Sequence, residues 1–152
     1  MTLDGTFTIA APRDHVWKAI RDPGIVAVCV PGCSGVEVVS PTSYRAKIAV
    51  SLGPISANFD LVVDITGETP PEQISIQTRG AEGGRASMLN AVSLVTLKEA
   101  EGMQTDVHYT SDVSITGRFG KFGLGIMRKK ADQLAKDFTR KFADALQTAA
   151  AS

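Results

Sequence analysis

A single change of period near residue 118 limits the fold of this chain more than any other feature. Upstream of it, apolar residues recur at every second position. Residues 55–66 (ISANFDLVVDIT) place Ala57, Phe59, Leu61, Val63 and Ile65 on one face and Asn58, Asp60 and Asp64 on the other. Residues 103–116 set Val107, Tyr109, Val113 and Ile115 against Asp106, His108, Asp112 and Ser114. Antiparallel strands with one buried and one wet face produce this pattern. Residues 34–40, 43–53, 73–79 and 86–98 read as further strands. They are separated by Gly53-Pro54, Pro70-Pro71, the glycine-rich stretch RGAEGGR and Glu101-Gly102. Downstream, Phe119, Phe122, Ile126, Leu134, Phe138, Phe142 and Leu146 lie close to one stripe of helical period. The last 30 residues therefore predict a long amphipathic helix, with Gly120, Gly123 and Gly125 at its entry.

The N-terminal part adds one more strand and two short helices. Residues 3–10 alternate. Pro12 suits the first helical position and Asp14 the first turn, and Val16, Trp17 and Ile20 give a short stripe. Asp22-Pro23-Gly24 breaks it. Residues 24–30 form a second apolar helical segment, ended by Pro31-Gly32. The expected class is α+β: a curved antiparallel sheet of about seven strands wrapped on a long C-terminal helix, with two short helices after the first strand. A length of 152 residues fits one domain, residues 1–152.

A cup-shaped sheet closed by one helix leaves room for a ligand. Small residues on the expected inner face, Ala46, Ala57, Ala91 and Ser93, enlarge that room. The liners expected to bind an apolar molecule are Ile25, Val28, Phe59, Leu61, Met88, Tyr109, Phe122, Ile126 and Leu134.

Charge excludes some functions and allows others. The formal net charge is zero, and no basic-plus-aromatic strand platform is present, so nucleic acid is not an expected partner. The charge is nevertheless polarised. Residues 1–117 hold 8 basic and 13 acidic side chains, and residues 118–152 hold 8 and 3. The Arg128-Lys129-Lys130 run suits an anionic lipid surface or acidic partner, or a plain solvated helix face. The N-terminal segment lacks the pattern of a signal peptide. No stretch approaches the ~20 apolar residues that span a bilayer. A cytoplasmic protein, at most peripheral to a membrane, is expected.

Catalytic and metal chemistry find little support. The two histidines, His15 and His108, have no evident nucleophile beside them. Cys29 and Cys33 are too few for a zinc site and read as a buried cysteine and a turn cysteine. Asp60, Asp64, Asp106 and Asp112 sit on wet faces. The RGAEGGR turn lacks the ending of a phosphate loop. Tyr44 and Tyr109 are equally suited to orienting a ligand and to filling a core.

Three segments carry a family resemblance. They are Phe7 to Trp17 (FTIAAPRDHVW), Asp22 to Cys33 (DPGIVAVCVPGC) and residues 112–123 (DVSITGRFGKFG), the last running into the phenylalanine-spaced helix. Together they resemble the CoxG family of carbon monoxide dehydrogenase proteins, within the helix-grip fold of the START and Bet v 1 (SRPBCC) superfamily. The resemblance covers nearly the whole chain. It implies an accessory protein of aerobic molybdenum carbon monoxide dehydrogenase rather than a catalyst. It also implies membrane association and handling of an isoprenoid quinone, menaquinone or ubiquinone, without a covalent cofactor. Two other readings stand beside it: an assembly or recruitment factor with no small-molecule ligand, and a cyclase or hydrolase on the same fold.

Overall fold

The computed structural model describes the backbone of residues 1–151 and the side chains of all of these except residues 85, 124 and 147–151. Ser152, the last residue of the expected domain, lies outside the described residues. The chain opens with strand β1 (Thr2–Ile9), followed by helices α1 (Arg13–Ile20) and α2 (Pro23–Cys29). Six strands come next: β2 (Cys33–Ser40), β3 (Ser43–Leu52), β4 (Ile55–Thr69), β5 (Gln73–Glu82), β6 (Ser87–Ala100) and β7 (Gln104–Gly117). Helix α3 (Leu124–Ala151) closes the chain. All neighbouring strands are antiparallel, in the order β1-β7-β6-β5-β4-β3-β2. From β2 to β7 each strand pairs with the next in sequence, whereas β1 crosses over to pair with the last strand, β7.

Local chemistry explains the element ends. The Asp22 side chain accepts hydrogen bonds from the backbone of Gly24 and Ile25, at 3.0 and 3.3 Å. Asp22-Pro23 therefore caps the start of α2 as well as ending α1. The glycine-rich stretch is mostly strand. β5 runs on through Glu82, and the turn itself is Gly83–Arg85. β4 also extends past residue 66, to Thr69.

The long helix starts later than its aromatic stripe suggests. Gly120–Phe122 forms a separate 3-10 turn, and Gly123 at φ 84° stands between it and α3. Phe119 and Phe122 thus belong to the connector. Phe119 is 1% exposed and packs edge-on against Phe59, with ring centroids 5.5 Å apart.

Two apolar clusters hold the helices to the sheet. One joins Ile9, Val16, Cys29, Leu97, Val107, Phe142 and Leu146, uniting α1, α2 and the far end of α3 with β1, β6 and β7. The other joins Leu52, Ala57, Phe59, Leu61 and Phe119 near the start of α3. Burial raises the pKa of the Cys29 thiol, with Lys141 opposing weakly. Ion pairs tie α1 to strand ends. Arg21 reaches Glu68 at 2.6 Å and the Tyr44 hydroxyl at 2.8 Å, and Arg13 lies 3.5 Å from Glu99.

Candidate functional site

Between the two clusters, space remains between the sheet and α3. It forms two chambers of about 360 and 370 Å³. Each is within the range of small-molecule sites, roughly 300–1,000 Å³. Ala135 and Phe138 line both, so the chambers adjoin under the middle of α3.

The first chamber is almost entirely apolar. The sheet contributes Ile48, Val50, Phe59, Leu61, Leu89 and Ile115, and the segment after α2 contributes Val30 and Pro31. Helix α3 contributes Met127, Ala131 and Leu134. Lys130 supplies the charged side chain of this lining. The second chamber mixes apolar and hydroxyl groups. Ile20, Val26, Ile76 and Phe142 form part of its wall. Thr78, Ser93, Tyr109, Ser111 and Thr139 add hydroxyl-bearing side chains. Ser93 and Ser111 face each other across β6 and β7 with their hydroxyl oxygens 2.8 Å apart.

Tyr109 lies over Gly5 of β1, where a Cβ would come within 2.5 Å of the phenol oxygen. Burial raises the pKa of its hydroxyl, and the charges of Asp132 and Asp4 add to the rise. It therefore stays a neutral phenol. Tyr44 is engaged elsewhere, since its hydroxyl accepts from Arg21 and lies 3.3 Å from the Pro41 carbonyl.

Of the nine liners expected from sequence, four line the chambers. Phe59, Leu61 and Leu134 belong to the first chamber and Tyr109 to the second. The other five lie elsewhere, each for a geometric reason. Val28 is 72% exposed, because Val26 and Val30 flank it on the inward side of the short α2 turn. Ile25 packs toward Ala145 and Leu146 in a surface groove beside α1. Met88 is 46% exposed on the outer face of β6, because the inward positions are Leu89, Ala91 and Ser93. Ile126 is 53% exposed. At about 100° per residue it lies roughly 120° around the helix from Phe138, whereas Met127 lies within about 20°. Phe122 packs on Phe119 from the connector, behind the chamber wall.

Most of the missed liners were legible in phase. Leu89 shares the parity of Ala91, and Met127, Ala131 and Ala135 share the stripe of Phe138. Val30 and Pro31 carried no such pattern, because their placement depends on how α2 ends against the sheet.

The described lining of this interior holds no histidine or carboxylate, and its ionisable side chains are Lys130 and Tyr109. His108 sits on the outer face and pairs with the Thr6 hydroxyl at 2.9 Å. His15 borders the groove beside α1. Among the described residues no group of three His, Cys, Asp or Glu side chains is placed to hold a metal ion. No helix among them is long and apolar enough to cross a membrane.

A family model for the CoxG subunit of carbon monoxide dehydrogenase matches residues 5–147. The chain belongs to the CoxG family. None of the curated proteins matches this CoxG-family chain. Solved structures do match its fold. A conserved protein from Geobacillus kaustophilus is 21% identical with a TM-score of 0.90, and the alignment covers 97% of this chain and 96% of that one. A START superfamily protein from Mycobacterium smegmatis is 11% identical with a TM-score of 0.77, covering 97% of each chain. The Zhui aromatase/cyclase from Streptomyces sp. R1128 is 15% identical with a TM-score of 0.70, covering 97% of this chain and 93% of that one. These likenesses establish that the CoxG-family chain has the START-like helix-grip fold.

Proposed function

We propose that this chain is a non-catalytic carrier serving aerobic carbon monoxide dehydrogenase. It takes an isoprenoid quinone into the sheet–helix cavity and links the dehydrogenase to the membrane electron-transport chain. The observation that carries this reading is the pair of adjoining chambers beneath α3, one apolar and one mainly apolar with hydroxyls in its wall. Each 100 Å² of polyprenyl tail buried there contributes about 2.5 kcal/mol, at roughly 25 cal/mol per Å². Acid–base catalysis needs an ionisable group poised at the reacting centre. The ionisable side chains of the described lining are Lys130 and Tyr109, with no carboxylate or imidazole in that lining to pair with either, a set that suits holding a ligand better than transforming it. Lys121, Arg128 and Lys129 are exposed near the start of α3 and face anionic headgroups in this reading.

Extraction of the purified protein followed by mass spectrometry tests the proposal. A co-purifying quinone, or stoichiometric uptake of added quinone, is expected. A cavity that stays empty and takes up no quinone would overturn it.

One observation favours a second reading, an assembly or recruitment factor without a ligand. Val92 and Leu94, with Met88 beyond the intervening Asn90, expose apolar side chains on the outer face of β6, suited to a protein surface. Capture of the dehydrogenase by a chain whose chambers have been filled by mutation would support that reading.

A further inference from the structure

The two chambers differ in chemistry, and the difference sets a direction. In the first, the sheet presents only apolar side chains, and Lys130 comes from the helix. In the second, the sheet presents the hydroxyls of Thr78, Ser93, Tyr109 and Ser111. The Ser93–Ser111 contact at 2.8 Å is one hydrogen bond between two hydroxyls. It uses one of their two O–H donors and leaves the other for a third oxygen. Thr139 is different. Its hydroxyl donates to the Ala135 carbonyl at 2.8 Å, so only acceptor capacity remains. The second chamber thus offers a donor to a carbonyl or hydroxyl of a ligand. No charged side chain belongs to its described lining, and an ionised head would be desolvated there without a counter-charge. At the junction, Ala135 has only a methyl group, and Phe138 is held by stacking on Phe142 with centroids 5.5 Å apart.

We propose that the cavity takes an elongated amphiphile in one orientation: a neutral, carbonyl-bearing head beside Ser93 and Ser111, its apolar tail passing Ala135 into the first chamber. This rests on the carrier reading and deepens it by stating which end of the ligand goes where. The opposite orientation would place the head at Lys130 and a hydrocarbon tail among hydroxyls, leaving the free serine donor unmatched.

Decylubiquinone and dodecylbenzene serve as probes, the second having a ring and tail but no acceptor. Trp17, the chain's one tryptophan, packs on the cluster containing Val107 and Phe142, which also wall the second chamber. A quinone ring in that chamber is expected to quench its fluorescence, and dodecylbenzene is followed by competition. The double variant Ser93→Ala/Ser111→Ala is expected to weaken decylubiquinone about tenfold while changing dodecylbenzene less than about twofold. Lys130→Met is expected to change decylubiquinone and dodecylbenzene by the same factor, because only the apolar tail that both carry reaches the first chamber. If the double variant does not fold, each single serine variant carries the same comparison, with a smaller loss. Equal effects of the double variant on both probes would overturn the orientation and leave the carrier reading intact. So would a Lys130→Met loss confined to decylubiquinone. Failure of the wild-type chain to bind either probe would overturn both.

Discussion

At the scale of single residues, the connector between β7 and α3 concentrates the constraints. Gly117 has φ 87°, and a Cβ there would lie 2.1 Å from the Ala86 carbonyl oxygen, which is backbone and has no freedom to move aside. Gly117→Ala is therefore expected to cost about 2 kcal/mol or more, read as a lower midpoint in urea. The neighbouring Arg118 donates hydrogen bonds to both carboxylate oxygens of Glu82, one of them at 2.9 Å, and a third to the Ser56 carbonyl. The Arg118 hydrogen bonds hold the Glu82 carboxyl below its ordinary 4.5; burial opposes this, and Ser87 assists. A carboxyl lowered on folding contributes its full stability above the unfolded pKa. That contribution is lost as pH falls through the lower folded value. Glu82→Gln removes this acid-sensitive contribution. The wild-type thermal midpoint is expected to fall more steeply than that of the variant between about pH 5 and pH 2. Equal slopes would show that the pair does not govern acid stability.

At the scale of elements, the question is what keeps the helices on the sheet. Phe142 is 1% exposed and joins the cluster that unites α3 with α1, α2 and three strands. Phe142→Ala is expected to destabilise by about 3–5 kcal/mol in chemical denaturation, the usual range for deleting a buried aromatic ring. Arg21 works differently. It pins the end of α1 to Glu68 at the far end of β4 and to Tyr44 of β3. Arg21→Ala is expected to cost only about 1–2 kcal/mol. Its clearer signature is faster amide hydrogen exchange in α1 and α2, with the central strands unchanged. Helix α2 is short, and its register decides which valines line the chambers. This explains why Val26 and Val30 face inward while Val28 meets solvent.

At the scale of the whole molecule, the chain combines a curved sheet, one gripping helix and an interior left unfilled. A protein of this size has enough core to tolerate such space, because the two clusters flank the chambers and carry much of the apolar burial. Filling the first chamber is therefore expected to separate stability from binding. Val50→Phe adds a ring to the apolar wall. The thermal midpoint should hold or rise, while quinone uptake drops at least tenfold in a titration. A parallel loss of folding would mean that the space is needed for packing rather than for a ligand.

The sequence alone determined the elements, their order and the class of fold. Alternation and helical period are local properties, written in the spacing of Phe59, Leu61 and Val63 and of Leu134, Phe138 and Phe142. Parity also made part of the interior legible, since alternation along β4 and β7 carried Phe59, Leu61 and Tyr109 inward. Only the tertiary structure decided the rest. Phe119 and Phe122 left the helical stripe because glycines moved the start of α3 to residue 124. Ile126 and Val28 turned outward because a helix's rotation about its own axis is set by what it packs against, and no local pattern encodes that. The division into an apolar chamber and a hydroxyl-lined one has the same origin. Ser93, Ser111, Thr78 and Thr139 come from four separate elements, and only the paired strands and the docked helix bring their hydroxyls to one place.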